Sequence, residues 1–383
     1  MTSVLFSAFP LRSVIVPNRI VVSPMCQYSA VDGVASDWHP IHLGQFALSG
    51  AGLVFVEATA VEAIGRITPG CLGLYSDQAE HALAALVSGF RARAGKSRIG
   101  IQLAHAGRKA SISRPWEGGR PLAHDEGGWR TVGPSAIPFD QNRPAPEALD
   151  EAGIARIKAA FVQAAQRAVA IGFDVIELHM AHGYLLSEFM SPLANRRTDA
   201  YGGSLANRVR LPAEIFAAVR AAVPAAIPVG ARISGSDWAE GGAGPDDAVA
   251  LGRALKERAC DFLDVSSGGV VPTQQMTARP GYQLPFADRV KREVGLPTMA
   301  VGLITRPQQA EAIIAAGHAD FVSLGRAMLD DPRWPWHAAA ALGATVELPA
   351  QYGYAVGPRW REATEQGGAA PEPMLAAAQG ASA

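Results

Sequence analysis

The chain has 383 residues, 49% of them hydrophobic and 18% charged, enough apolar content for a large core and too much for a disordered chain. Its 34 basic and 35 acidic residues nearly cancel and no basic run stands out, which argues against nucleic acid as a partner. Three cysteines, Cys26, Cys71 and Cys260, are too few and too scattered for a disulfide framework. No apolar stretch is long enough to span a membrane, and residues 1–9 lack the regions of a signal peptide, so the expected location is cytoplasmic.

Strand-like runs alternate with helical ones along the chain. The predicted strands are 19–25, 53–58, 99–104, 175–179, 229–233, 262–266, 298–301 and 321–324. Helical periodicity falls between and after them, at 41–49, 79–94, 151–171, 207–222, 246–258, 285–294, 307–316 and 332–341. Gly52, Gly172 and Gly317 stand where a helix should stop before the next strand. Strands that read apolar on both faces belong to a parallel sheet covered by helices. Eight alternations favour an α/β fold with a single closed (β/α)8 TIM barrel over an open sheet, and no GxGxxG opens the first helix. The connection after the third strand, 108–146, is long and rich in Gly, Pro and Trp. With Trp116 and Trp129 in it, it reads as a lid. Residues 1–360 are expected to form one barrel and residues 361–383 a flexible tail.

Active-site residues of such a barrel come from the carboxyl ends of its strands. The first predicted strand ends Ser23-Pro24-Met25-Cys26-Gln27-Tyr28, the second at Glu57-Ala58, and the third carries Gln102. The fourth places Glu177 in an apolar run and delivers His179, His182 and Tyr184 at its end. That group has three readings: core histidines with satisfied hydrogen bonds, a metal pair, or a clamp of two donors on a carbonyl oxygen with a phenol to move a proton. Arg232 in the fifth strand is costly unless it meets an anion, either Glu177 on the neighbouring strand or a ligand. Gly302 follows the seventh strand and Gly325-Arg326 the eighth, where such barrels commonly bind phosphate. A flat ring against strands one, two, three and five, tied to a phosphate at seven and eight, describes FMN better than a nicotinamide dinucleotide or a sugar phosphate.

Four motifs carry a family resemblance: SPMCQY at 23–28, EATAVEAIGRITPGCLG at 57–73, GIQLAHAGRKA at 100–110, and HMAHGYLLSEFMSPLANRRTDAYGGS from His179. With them the chain, from about Leu5 to Trp360, resembles the Old Yellow Enzyme family of FMN-dependent ene reductases, most closely its thermophilic-like branch with the xenobiotic reductases. The resemblance implies that Ser23, Pro24, Met25 and Cys26 line the flavin, with Cys26 tuning its potential. Ala58 and Gln102 contact the ring, Arg232 neutralises charge on the reduced flavin, and Gly325, Arg326 and Gly302 hold the phosphate. It further implies that His179 and His182 bind the substrate oxygen, Tyr28 lines the pocket and Tyr184 donates a proton. NADPH is the implied reductant, and enones, enals, maleimides or nitro compounds the implied substrates. A homodimer or homotetramer is also implied, in which Arg359 reaches a neighbouring active site.

Val301 stands where related reductases carry a tryptophan, which widens the pocket, and the role of Lys109 is open. A quinone or nitro-compound reductase, a flavin-binding protein without catalysis, and a flavin-free lyase using Lys109 as a Schiff base are the competing functions. The dienoyl-CoA reductase relatives need an iron–sulfur cluster and a further domain, for which three cysteines and 383 residues are too few.

Overall fold

The computed structural model describes residues 3–356. Its first elements are a hairpin, β1 (Phe9–Leu11) and β2 (Val14–Val16), paired antiparallel. Then come β3 (Ile20–Val22), β4 (Leu53–Ala60) and β5 (Arg98–Ala104), a short ribbon of β6 (Val132–Gly133) and β7 (Glu147–Ala148), and β8 (Val175–Met180). The strands β9 (Val229–Ser234), β10 (Leu263–Ser266), β11 (Thr298–Ala300) and β12 (Phe321–Leu324) complete the set. The eight strands β3, β4, β5, β8, β9, β10, β11 and β12 are all parallel and close into a barrel, as the alternation predicts.

The helices are α1 (Trp38–Ala47), α2 (Asp77–Arg91), α3 (Glu151–Ile171), α4 (Leu185–Met190) and α5 (Leu205–Ala222), then α6 (Pro245–Lys256), α7 (Leu284–Val294), α8 (Pro307–Ala315), α9 (Arg326–Asp330) and α10 (Trp334–Ala341). Side-chain caps start several of them: Ser76, Asp150 and Ser204 accept from the backbone N–H of Ala79, Gly153 and Asn207. Gly172 and Gly317 lie in the left-handed region, as expected of helix stops. Gly52 does not. After α1 the left-handed glycine is Gly50, and Gly52 is small because a Cβ there would meet the Asn18 carbonyl oxygen at 2.2 Å.

The barrel interior is layered. Val21, Leu53, Phe55, Val175, Phe262, Met299 and Phe321 fill its amino-terminal end, and Leu11 and Val16 of the hairpin plug it from below. Gly230 belongs to this packing, since a Cβ there would meet the Phe262 ring at 2.5 Å. Above that layer the interior turns polar: Gln102, Glu177, Arg232 and Asp264 are all buried. Ring by ring, then, the barrel passes from a sealed apolar floor to a polar mouth at the carboxyl end.

The long connection after β5 is ordered over the mouth, with short turns at Pro115–Glu117 and His124–Glu126 and the β6–β7 ribbon. Trp129 Nε1 donates to the Ile64 carbonyl at 2.9 Å, and the Trp116 ring meets that of Tyr28 edge-on with centroids 6.0 Å apart. One compact unit runs through Val346, and a second begins at Glu347. The tail boundary expected at residue 360 lies outside the described residues. Among the described residues no helix is long and apolar enough to cross a membrane.

Candidate active site

The chain leaves β8 through His179 and turns sharply at His182, whose φ is +62°. Such a backbone is strained for a residue with a side chain, so it must be held from outside. Two contacts hold it. The His182 N–H donates to Ser234 Oγ at 3.0 Å, and its carbonyl accepts from Lys109 Nζ at 2.9 Å. Lys109 Nζ also donates to the Gly269 carbonyl at 2.9 Å, tying the loop after β8 to the loop after β10. That is a structural role for the lysine. An amine spent on two carbonyls, half-buried and facing the rings of Phe139 and Tyr184, does not present itself as a Schiff-base nucleophile.

The turn brings three rings together. His179 lies edge-on to His182 and to Tyr184, with centroids 5.1 Å and 5.0 Å away. The Ala181 N–H donates to His179 Nδ1 at 3.2 Å, so a neutral His179 carries its proton on Nε2. That nitrogen faces His182 Nδ1 at 3.3 Å, and His182 Nε2 lies 2.7 Å from Ser266 Oγ. Burial, then the charge of Arg232, holds both imidazoles well below the usual histidine pKa. Burial likewise pushes the Tyr184 phenol well above the usual tyrosine value, so it keeps its proton. Among the described residues no group of three or more His, Cys, Asp or Glu is placed to hold a metal ion.

Tyr28 also has a left-handed backbone, φ +52°, with its carbonyl held by Arg114 Nε at 2.8 Å. The loop before it is anchored by Glu57. A bulge in β4 between Val56 and Ala58 frees that carboxylate to accept from the Gln27 N–H at 2.9 Å and to meet His39 Nε2 at 3.3 Å. Cys26 and Tyr28 pack with Cys71, Ala106, Trp129 and Tyr184 in one cluster under the lid. The Cys26 thiol, pushed well up by burial, stays protonated.

Beneath the mouth the polar layer pairs differently from expectation. Arg232 does not pair with Glu177: its Nε meets Asp264 Oδ2 at 3.3 Å, and Glu177 instead accepts from Gln102 Nε2 at 2.7 Å. Strand register explains the difference, for Asp264 is the cross-strand neighbour of Arg232 while Gly230 is that of Glu177. Arg232 Nε, Glu177 Oε2 and both Asp264 oxygens have no hydrogen-bond partner. A buried guanidinium with unspent donor capacity is what an anionic or electron-rich ligand would find there.

On the opposite side Ser23 Oγ shares a hydrogen bond of 2.7 Å with Ser323 Oγ, and the Ser23 N–H reaches the Leu324 carbonyl. This brings the 23–26 loop beside Gly325, where a Cβ would lie 3.6 Å from Met25 Sδ. Gly302 has φ +119°, and a Cβ there would press on Gln283 at 3.0 Å, so only glycine fits. Arg326 is exposed, with no ion pair or hydrogen bond to a described residue, which leaves its fork open to phosphate oxygens. The expected residues therefore gather at one mouth, except Arg359, which lies outside the described residues. Sequence reasoning passed over Asp264, Ser266 and Gln283. The first two sit in the predicted strand 262–266, where no motif marks them, and Gln283 accepts from Ser266 and Ser267.

A closed barrel with this mouth is a (β/α)8 enzyme. The chain matches the model of the NADH:flavin oxidoreductase / NADH oxidase family over residues 4–344. It is 45% identical over 354 residues to the NADPH dehydrogenase of Geobacillus thermodenitrificans strain NG80-2, covering 92% of this chain and 98% of that one. Among solved structures, morphinone reductase superposes with a TM-score of 0.75 at 27% identity over 91% of this chain and 92% of its own. The Old Yellow Enzyme homologue of Zymomonas mobilis has the same fold, with a TM-score of 0.73 at 24% identity over 93% and 98%. The chain belongs to the NADH:flavin oxidoreductase / NADH oxidase family and is an FMN-dependent oxidoreductase, so the Old Yellow Enzyme resemblance of its motifs holds.

Proposed function

We propose that the chain is an NADPH-dependent ene reductase acting on alkenes activated by a carbonyl or nitro group. The observation that carries this is the pair of ring nitrogens, His179 Nε2 and His182 Nδ1, facing each other 3.3 Å apart beside Tyr184. Two N–H donors at that spacing suit one shared acceptor oxygen, each at about 2.9 Å. FMN, when bound, supplies hydride exchange between NADPH and the β-carbon of the alkene. Ser23, Pro24, Met25, Cys26, Ala58, Gln102 and Arg232 would hold its ring, and Gly302, Gly325 and Arg326 its phosphate.

The protein's own work is at the substrate. His179 and His182 take the oxygen, which draws charge off the β-carbon and stabilises the enolate-like charge that develops. Ser266 can make this possible: turning its one hydroxyl proton from Gln283 Oε1 to His182 Nε2 leaves the imidazole proton on Nδ1, aimed into the site. Tyr184, still protonated, delivers a proton to the α-carbon. Tyr28 and Trp129 wall the pocket and keep water out, with Trp116 edge-on to Tyr28 at its outer rim.

The test is an anaerobic absorbance experiment on FMN-reconstituted protein. NADPH should bleach the flavin and 2-cyclohexenone should restore it. Bleaching without recovery keeps the flavin enzyme and discards the alkene; no flavin bound discards the cofactor residues as well. A cytoplasmic homodimer or homotetramer, with Arg359 completing a neighbour's site, belongs to the same proposal. Light scattering and the Arg359→Ala variant check it.

A further inference from the structure

We propose that Asp264 sets the reduction potential of the flavin by cancelling part of the charge that Arg232 offers it. The inference rests on the placement of Arg232 against the flavin in the reading above. Its evidence is in the barrel's polar layer. Asp264 is wholly buried and lies directly across from Arg232 in the β9–β10 register. Its Oδ2 is 3.3 Å from Arg232 Nε, yet neither carboxyl oxygen has a hydrogen-bond partner. A carboxyl that no group solvates or hydrogen-bonds is costly to bury, and the single cation beside it is what compensates its ionised form. Asp264 therefore acts by charge alone, through Arg232.

The layer has a second carboxyl, and it is arranged otherwise. Glu177 accepts from Gln102 and makes no ion pair with Arg232. Burial pushes both carboxyls up, Glu177 to about 8, and Arg232 opposes that for each; its 3.3 Å contact is with Asp264, which assigns the ionised carboxylate there and leaves Glu177 neutral. Each of the two polar side chains expected under the ring thus rests on its own carboxyl, Gln102 on Glu177 and Arg232 on Asp264. Only the second pair carries charge.

Reduction of FMN by two electrons and one proton adds one negative charge to the ring. Arg232 favours that charge and Asp264 opposes it, so the present pair holds the potential below what Arg232 alone would give. Asp264 is in this sense a positioning residue for charge, with no contact to substrate.

The experiment is the midpoint potential of the FMN-loaded protein at pH 7, measured by equilibration with a reference dye. Asp264→Asn should raise it by at least about tenfold in the two-electron equilibrium constant, or about 30 mV. Asp264→Glu, which keeps the charge, should return it towards the native value. Glu177→Gln should move it by less than about twofold in that constant. Asp264→Ser leaves room for a water beside Arg232 and serves if the asparagine variant does not fold. A merely structural Asp264 would lower thermal stability or flavin affinity with the potential unchanged, and that result overturns the proposal. An equal rise in Glu177→Gln overturns it too, by moving the charge to the other carboxyl. If the native chain binds no FMN, the reading beneath it fails instead.

Discussion

Lys109 places its Nζ 4.9 Å from the centroid of the Tyr184 ring while it donates to the carbonyls of His182 and Gly269. Burial, then the nearby charge of Arg143, lowers its pKa to about 8. An unfolded lysine titrates near 10.5, so between about pH 8 and 10.5 the unfolded chain holds a proton that the folded one has released. The contribution of this group to stability therefore rises as pH increases through that window. Denaturant unfolding of native protein and Lys109→Met at pH 7, 8, 9 and 10 reads it as a difference. The native chain should gain on the variant above pH 8, and a constant difference refutes the burial of the cation.

The two histidines predict a division between half-reactions. His179→Ala removes one of two donors to the substrate oxygen and should slow reoxidation of the flavin by 2-cyclohexenone by roughly tenfold to hundredfold. Reduction by NADPH should suffer far less. Because burial and the charge of Arg232 hold both imidazoles well below the usual histidine value, enone affinity should show no histidine inflection from pH 6 to 8. An inflection near 6.5, or equal loss in both half-reactions with flavin retained, counts against the clamp.

How much of this could be read beforehand follows from which interactions are local. The eight barrel strands announce themselves as short apolar runs, and Ser23, Gln102, His179, His182, Tyr184 and Arg232 stand out as polar residues at or in them. The hairpin Phe9–Leu11 and Val14–Val16 does not, because three-residue strands carry no period to detect. The partner of Arg232 was out of reach for a different reason. It has His179 across from it on one side and Asp264 on the other, and that register is set by barrel closure rather than by any spacing along the chain. The bulge that turns Glu57 towards Gln27 is likewise a property of the paired strands.

That bulge predicts a stability effect. Glu57→Ala leaves the half-buried Gln27 N–H without its acceptor and His39 without its counter-group, and should cost about 2–4 kcal/mol. Glu57→Gln keeps an oxygen for the N–H and should cost about 1 kcal/mol. Urea unfolding of both variants is the check. An alanine variant within about 0.5 kcal/mol of native, the range of an ordinary surface substitution, would mean that the loop carrying Cys26 and Tyr28 is held by something else.

Tyr184 gives the sharpest chemical prediction. Its ring is fixed edge-on to His179 at 84°, and burial keeps its proton in place beyond pH 10. A positioned general acid contributes roughly 10²- to 10⁴-fold. Tyr184→Phe removes the proton and keeps the ring, so packing against His179 and the face it offers to Lys109 survive. Stopped-flow mixing of pre-reduced protein with 2-cyclohexenone should then show reoxidation slowed by about 10²-fold or more, with NADPH reduction close to native. The native rate should also show no step from ionisation of the phenol between pH 7 and 9, and a change near pH 8 belongs to Lys109 and should vanish in Lys109→Met. A phenylalanine variant within twofold of native would assign the α-carbon proton to water and leave Tyr184 as a wall of the pocket.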